Sequence, residues 1–423
     1  MICHVGSAPA ISLIRASSTA KPSIASTISA APFRLSMMPP GCVVPALRRA
    51  QPDASGKPCL RLARRSDRAS RPPMKDLRNI GLWGRTVLAF AMAGVGAMVG
   101  FYLNFPAYLL TGSALFVSVA TLAGLRLEIH PLVRDAAFLV LGTGIGSLVT
   151  AETLGAIATW PFAFVVLAVA LVATMGLCQW LLRTVFGFDV RSATLASAPG
   201  HLSYVIAMSA EMGIDPLRVT VVQSVRLLAL TLLVPVLALV LGVEIAGNPL
   251  SGNSVLPWLD FAALLFISLF VGLLMKRFGL PAPLLVGALF VSSVAHGASW
   301  TTGGLHPSLG LVAFVLLGAL IGTRFSGIGW TAFRGAVGAG VAVTLISGAI
   351  ALAASVPVAV LLGMPISTVL AAFAPGGFET MVALGAVLGA NPSFVAATHV
   401  VRLALLTGLV PLMLAWMTRR VAE

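Results

Sequence analysis

Two arginines stand where a guanidinium is costly. Arg226 and Arg402 lie several residues inside apolar runs, 176 positions apart. A charge near the centre of a membrane helix costs about 2.5–3.5 kcal/mol on insertion scales, so it needs a partner or a water-filled face. Gln223 precedes Arg226 by three residues and His399 precedes Arg402 by three, which puts each pair on one helix face. Upstream lie Pro199-Gly200 and Pro375-Gly376-Gly377. Proline removes a backbone donor and glycine tolerates a turn, so a helix is expected to break at both places. Broken helices in inverted repeats bring half-helix ends near the midplane, where positive N-terminal dipoles hold an anionic group. The chemistry on offer is therefore anion binding between two breaks, with Arg226 and Arg402 as the charges and Gln223 and His399 beside them. Two other readings stay open: each arginine ties down carbonyls freed at its break, or it snorkels to an interface.

Glu379 sits three residues past Gly376, where the first half has Ser203. A carboxylate there either carries a coupled proton or cation, or is the counter-ion of an arginine. Glu211 and Asp215, at a polar turn, read as solvated caps. His201 has a weaker claim on the site, since its equivalent is Gly377. No catalytic residue, metal site or cofactor is expected. The six histidines are scattered without metal-ligand spacing, and no P-loop, nucleophile elbow or Cys-x-x-Cys occurs.

The elements that must position these residues occur twice. Ala198-Pro199-Gly200 through Pro235 superimposes without a gap on Ala374-Pro375-Gly376 through Pro411 at the 176-residue offset. Under it Gly213 meets Gly389, Pro216 meets Pro392, and Val225-Arg226-Leu227 meets Val401-Arg402-Leu403. Gly142-x-x-x-Gly146 meets Gly318-x-x-x-Gly322, a spacing that lets helix backbones approach closely in lipid. The chain reads as an internal duplication.

Composition sets the surroundings. The 423 residues are 58% hydrophobic and 9% charged, against roughly a quarter charged in soluble domains. Apolar runs of about 20 residues match a hydrocarbon core of ~30 Å. All seven tryptophans fall at or near run ends, as an aromatic belt requires. The formal charge of +14 is concentrated in residues 1–78, with 13 Lys/Arg against 3 Asp/Glu, so +10 sits there. The remainder carries no basic body for nucleic acid. Three of four cysteines also lie in that leader, which leaves no disulfide framework.

Residues 1–78 form a basic leader expected to be disordered. It is either transit-like or the product of a start placed too far upstream, with Met74 the favoured start. Residues 79–245 make the first membrane repeat, 246–258 a linker and 259–420 the second repeat. Twelve apolar runs follow, six per half. Were all to cross, Lys276-Arg277 and the Arg324/Arg334 loop would face outside, against the positive-inside rule. If the two Pro-Gly runs enter and leave on one side, each half crosses five times. Every basic cluster then falls inside, and the second half is inverted. The expected fold is an all-α polytopic membrane protein of two inverted repeats, with about five crossings and one broken or re-entrant helix in each.

The repeated stretches, with their Ala-Pro-Gly, Gly-x-x-Pro and Val-Arg-Leu elements, resemble the AbrB family of bacterial integral membrane proteins over about residues 82–418. The family is described as a duplicated membrane domain, and His201 departs from its usual second glycine. The resemblance implies a bacterial inner-membrane location. Members are often labelled ammonia monooxygenases or regulators of gene expression, and an unrelated soluble DNA-binding regulator shares the name. No copper-ligand cluster and no DNA-reading domain are seen in the sequence.

The expectation is a transporter-like protein moving or sensing a small metabolite, anionic in the favoured case, and not an enzyme. The alternative is a membrane-embedded regulator acting indirectly on gene expression without transport. A membrane monooxygenase is the weakest alternative. The expected partners are the lipid bilayer and a small-molecule ligand, with no direct nucleic acid and homo-oligomerisation open.

Overall fold

The computed structural model describes residues 81–149, 159–200, 212–243, 254–280 and 282–422, with Val205, Ile206, Met208, Ser209 and Leu250; side chains after Trp416 are excepted. The leader expected at 1–78, Ser203, His201, Glu211 and most of the linker lie outside the described residues.

The chain is an all-α polytopic membrane protein. In the first half the described helices are α1 (Leu82–Tyr102), α2 (Tyr108–Leu122), α3 (Pro131–Gly146), α4 (Pro161–Thr184), α5 (Val190–Ser197) and α6 (Pro216–Val240). The second half has α7 (Trp258–Arg277), α8 (Pro283–Gly297), α9 (Pro307–Gly322), α10 (Trp330–Leu362), α11 (Ile366–Phe373), α12 (Phe378–Val387) and α13 (Pro392–Ala422). A 3-10 turn, Thr323–Phe325, follows α9. Six of these helices start on proline, whose missing N–H costs nothing in the first turn. Asp189, Asp215 and Asn391 cap α5, α6 and α13 through their side-chain oxygens, which satisfies donors that the first turn leaves free. For Asp215 that is the cap expected from the sequence.

The ends of α3 and α9, and of α5 and α11, differ by the same 176 residues. Between α1 and α2, and again between α7 and α8, the chain passes a left-handed alanine, Ala107 (φ 52°) and Ala282 (φ 42°). Trp83 stacks on His130 in the first half, and Trp258 on His306 in the second.

Packing is reciprocal between the halves. α3 lies along α8, and α9 along α2. A methyl group added at Gly146 would come within 2.7 Å of the Leu289 carbonyl oxygen, and one at Gly318 within 2.7 Å of that of Leu110. These backbones touch, as the Gly-x-x-x-Gly spacing anticipated. Small polar side chains bridge the same seams: Ser292 Oγ donates to the Thr143 carbonyl at 2.7 Å, and Thr121 Oγ1 to that of Gly322 at 3.2 Å.

Among the described residues, seven helices are long and apolar enough to cross a membrane, while α2, α8 and α12 are shorter apolar helices. The twelve runs are therefore not twelve equal spans. A 15-residue helix such as α2 rises only about 23 Å, short of a ~30 Å core. Apolar loop residues had extended these runs beyond the helices themselves.

Candidate functional site

Both expected breaks are present. α5 ends at Ser197, Ala198 turns extended (φ −62°, ψ 119°), and Gly200 takes φ +96°, a conformation open to glycine at little cost. In the second half α11 ends at Phe373. Ala374 and Gly377 are extended, and the Gly376 N–H donates to the Ala374 carbonyl at 2.9 Å, a three-residue turn around Pro375. Pro199, Pro375, Gly376 and Gly377 are buried. Irregular backbone at membrane depth persists only when protein or a cavity covers it.

The two arginines meet the breaks in the same manner but to different extents. Arg226 Nη2 donates to the Ala198 carbonyl at 3.0 Å. Arg402 Nη1 donates to the Ala374 carbonyl at 2.8 Å, and its Nη2 to that of Gly376 at 3.0 Å. Ala198 and Ala374 are again 176 residues apart. Gly200 lies against Arg402, since a methyl there would stand 3.2 Å from its Nη2. The second arginine thus reaches across to the first break. Neither forms an ion pair among the described residues. Both arginines are buried, which removes the snorkelling reading.

A cavity of about 260 Å³ opens at the breaks, lined in part by Gly200, Gln223, Ser224, Arg226, Gly376, Gly377 and Glu379. Its wall holds Arg226 but neither Arg402 nor His399. Arg226 is 2% exposed, and its Nη1 has no hydrogen-bond partner among the described residues, nor has Ser224 Oγ. Gln223 Nε2 is held by the Leu195 carbonyl at 2.9 Å. His399 is fully buried. Its Nδ1 meets the Val395 carbonyl at 3.0 Å, its ring is edge-on to Phe378, and its Nε2 is unpartnered. The expected quartet of Arg226, Gln223, Arg402 and His399 is therefore divided: the first-half pair faces the cavity, and the second-half pair stands behind its wall.

A second chamber of about 440 Å³ adjoins the first, with Arg134, Asp135, Lys276, Arg324, Glu379 and Thr380 in its lining. The two chambers share Ala282, Arg324 and Glu379. Ala282 is the left-handed residue that opens α8, and no side chain caps that helix. Gly377 opens α12, likewise uncapped by any side chain. Two helix N-termini with free backbone donors therefore converge on the neck, a ready setting for negative charge. Glu379 pairs with no cation within 4.0 Å among the described residues. Ser224 and the vestibule residues Arg134, Lys276 and Arg324 were missed as site residues. The basic ones had served only to orient the chain, and no local motif marks them for a chamber. Among the described residues no group of three or more His, Cys, Asp or Glu could hold a metal ion.

Fold and site together define a polytopic helical membrane protein with two Pro-Gly breaks and a cavity beside them that Arg226 and Arg324 help to line. A family model described as "Transition state regulatory protein AbrB" matches residues 109–418, and the chain belongs to this AbrB family. It is also 26% identical over 294 residues to "Uncharacterized protein YhjN" of Bacillus subtilis (strain 168), covering 64% of this chain and 75% of that one.

Proposed function

We propose that this protein is a transporter-like component of the bacterial cytoplasmic membrane that binds a small anionic metabolite in the cavity at the two breaks. On this reading its halves are inverted repeats. The observation that carries the proposal is Arg226: buried, without an acidic partner among the described residues, and with Nη1 unbonded at a cavity that α12 enters N-terminus first. Arg226 follows Pro216 by ten residues, about 15 Å of helix, or half of a ~30 Å core. That depth suits a substrate site reached alternately from the two sides. The basic vestibule supports the same reading, because Arg134, Lys276 and Arg324 all fall inside when each half crosses five times, and would draw anions toward the neck.

The test is a screen of small anions for thermal stabilisation of the detergent-purified protein, with Arg226→Ala beside it. A ligand at a hundred times its Kd stabilises the folded state by about 2.7 kcal/mol. The expected result is stabilisation by a small anion that Arg226→Ala loses. Stabilisation that survives in a folded Arg226→Ala protein sinks the assignment of the site.

The family description as a regulatory protein favours a second reading, a membrane-embedded regulator that binds its ligand without moving it. Net flux of the hit anion into liposomes separates the two. A transported metabolite would also alter gene expression indirectly, through its concentration.

A further inference from the structure

We propose that Glu379 carries a proton with each anion, so that the site takes a monovalent anion and H⁺ together. The proposal rests on the anion-site reading above. Glu379 is the carboxylate common to both chambers. It sits in the first turn of α12, whose N-terminus no side chain caps. Its ionised form is therefore the empty site's own anion, placed where the helix dipole favours negative charge.

An incoming anion competes for the same positive surroundings: Arg226, Arg324 and the free donors of α12. Two negative charges side by side repel, and the cost disappears when one takes up a proton. In the loaded site a proton is bonded to a Glu379 carboxylate oxygen while the anion faces Arg226. On release that O–H bond breaks, and proton and anion leave on the same side. One monoanion and one proton carry no net charge, and nothing is oxidised or reduced.

Of the charged and titratable groups on the elements around Glu379, those lining its two chambers are Arg134 and Asp135 of α3, Lys276 of α7, Arg324 of the 3-10 turn and Arg226 of α6. Arg218 of α6, Asp260 and Arg277 of α7, and His399 and Arg402 of α13 are in neither lining. His399 lies behind Phe378 and outside the cavity wall. Asp135 is held in a 2.7 Å ion pair with Arg134. Glu379 remains as the carboxylate free to respond at the neck.

Calorimetry of the purified full chain with acetate, lactate and pyruvate as probes, in buffers of different ionisation enthalpy, counts protons taken up per anion bound. Wild type is expected to approach one proton per anion, with affinity falling as pH rises because each anion bound takes up a proton. Glu379→Gln is expected to bind without proton uptake and without that slope, and Glu379→Asp to restore both. Binding to wild type without proton uptake overturns the proposal and leaves the anion site standing. So does uptake that persists in Glu379→Gln, or an affinity that follows sodium at fixed pH. If Glu379→Gln does not fold, the wild-type proton count alone decides. Should none of the three anions bind wild type, the anion-site reading falls and this proposal with it.

Discussion

Arg226 and Arg402 occupy the same place in two matching stretches and bond differently. Arg402 spends both terminal nitrogens on carbonyls of its own break, at Ala374 and Gly376, and presses against Gly200 of the other. Arg226 makes one such bond, to Ala198, and leaves Nη1 buried without a hydrogen-bond partner in a residue that lines the cavity. Both arginines make the tie to carbonyls at their breaks, and the proposed anion site rests on the nitrogen that Arg226 leaves unbonded. A motif that recurs along the chain fixes where a charge is placed. Its neighbours decide whether that charge is consumed by backbone or left for a ligand. Here the neighbour that matters is the tight turn at Pro375, which brings a second carbonyl within reach of the guanidinium.

The comparison assumes that the halves are related by inversion, and the largest effect expected is the all-or-none outcome that tests it. With native cysteines replaced by serine, Ser251→Cys should react with an impermeant reagent added outside intact cells, and Thr184→Cys only after the membrane is opened. Twelve full crossings would put both on the cytoplasmic side. Protection of both would end the inverted arrangement and the cytoplasmic vestibule with it.

The next effect separates the arginines energetically. Arg402→Ala removes two charge-assisted hydrogen bonds, about 1.5–3 kcal/mol each, and leaves the Gly376 carbonyl short of a donor, while that of Ala374 keeps the Gly376 N–H. Arg226→Ala removes one such bond, about 1.5–3 kcal/mol, and each substitution also removes a buried nitrogen without a partner, Nη1 of Arg226 and Nε of Arg402. Thermal unfolding in detergent should therefore show the larger fall for Arg402→Ala, while Arg226→Ala stays folded and loses ligand. Equal falls in unfolding midpoint would dissolve the distinction between tie and ligand.

Much of this was legible because it is local. Proline and glycine marked both breaks, the Gly-x-x-x-Gly pairs marked the seams of α3 with α8 and α9 with α2, and Asp215 marked a helix start. What escaped was whatever depends on how distant segments meet. No periodicity tells that Arg324, after α9, and Glu379, at the head of α12, share a neck with Ala282, or that Ser224 faces the cavity while His399 does not. The short helices escaped for a related reason: apolar loop residues lengthen a hydropathy run without lengthening the helix. His399 was placed in the site on symmetry with Gln223, and packing against Phe378 turned it away.

The smallest effect concerns a cap that the halves do not share. Asp189 opens α5 and accepts from the Ser192 N–H at 3.0 Å, whereas Pro365, in the equivalent place before α11, offers no side-chain acceptor. Partial burial alone would raise the Asp189 carboxyl, but hydrogen bonds from Ser192 and nearby backbone N–H groups outweigh it and hold the group below its ordinary value. A carboxylate lowered in the folded state contributes its stability above the ordinary carboxylate value of about 4 and loses it as pH falls through the lower folded-state value. Asp189→Ala should therefore cost about 1 kcal/mol near neutral pH, the usual worth of an N-cap. Asp189→Asn keeps the cap without the titration. Relative to that variant, wild type should lose stability on acidification below about pH 4, by well under 1 kcal/mol because the side chain is exposed and screened. Parallel acid-unfolding curves for wild type and Asp189→Asn would show that the first half's cap is no more sensitive to acid than the proline that replaces it in the second.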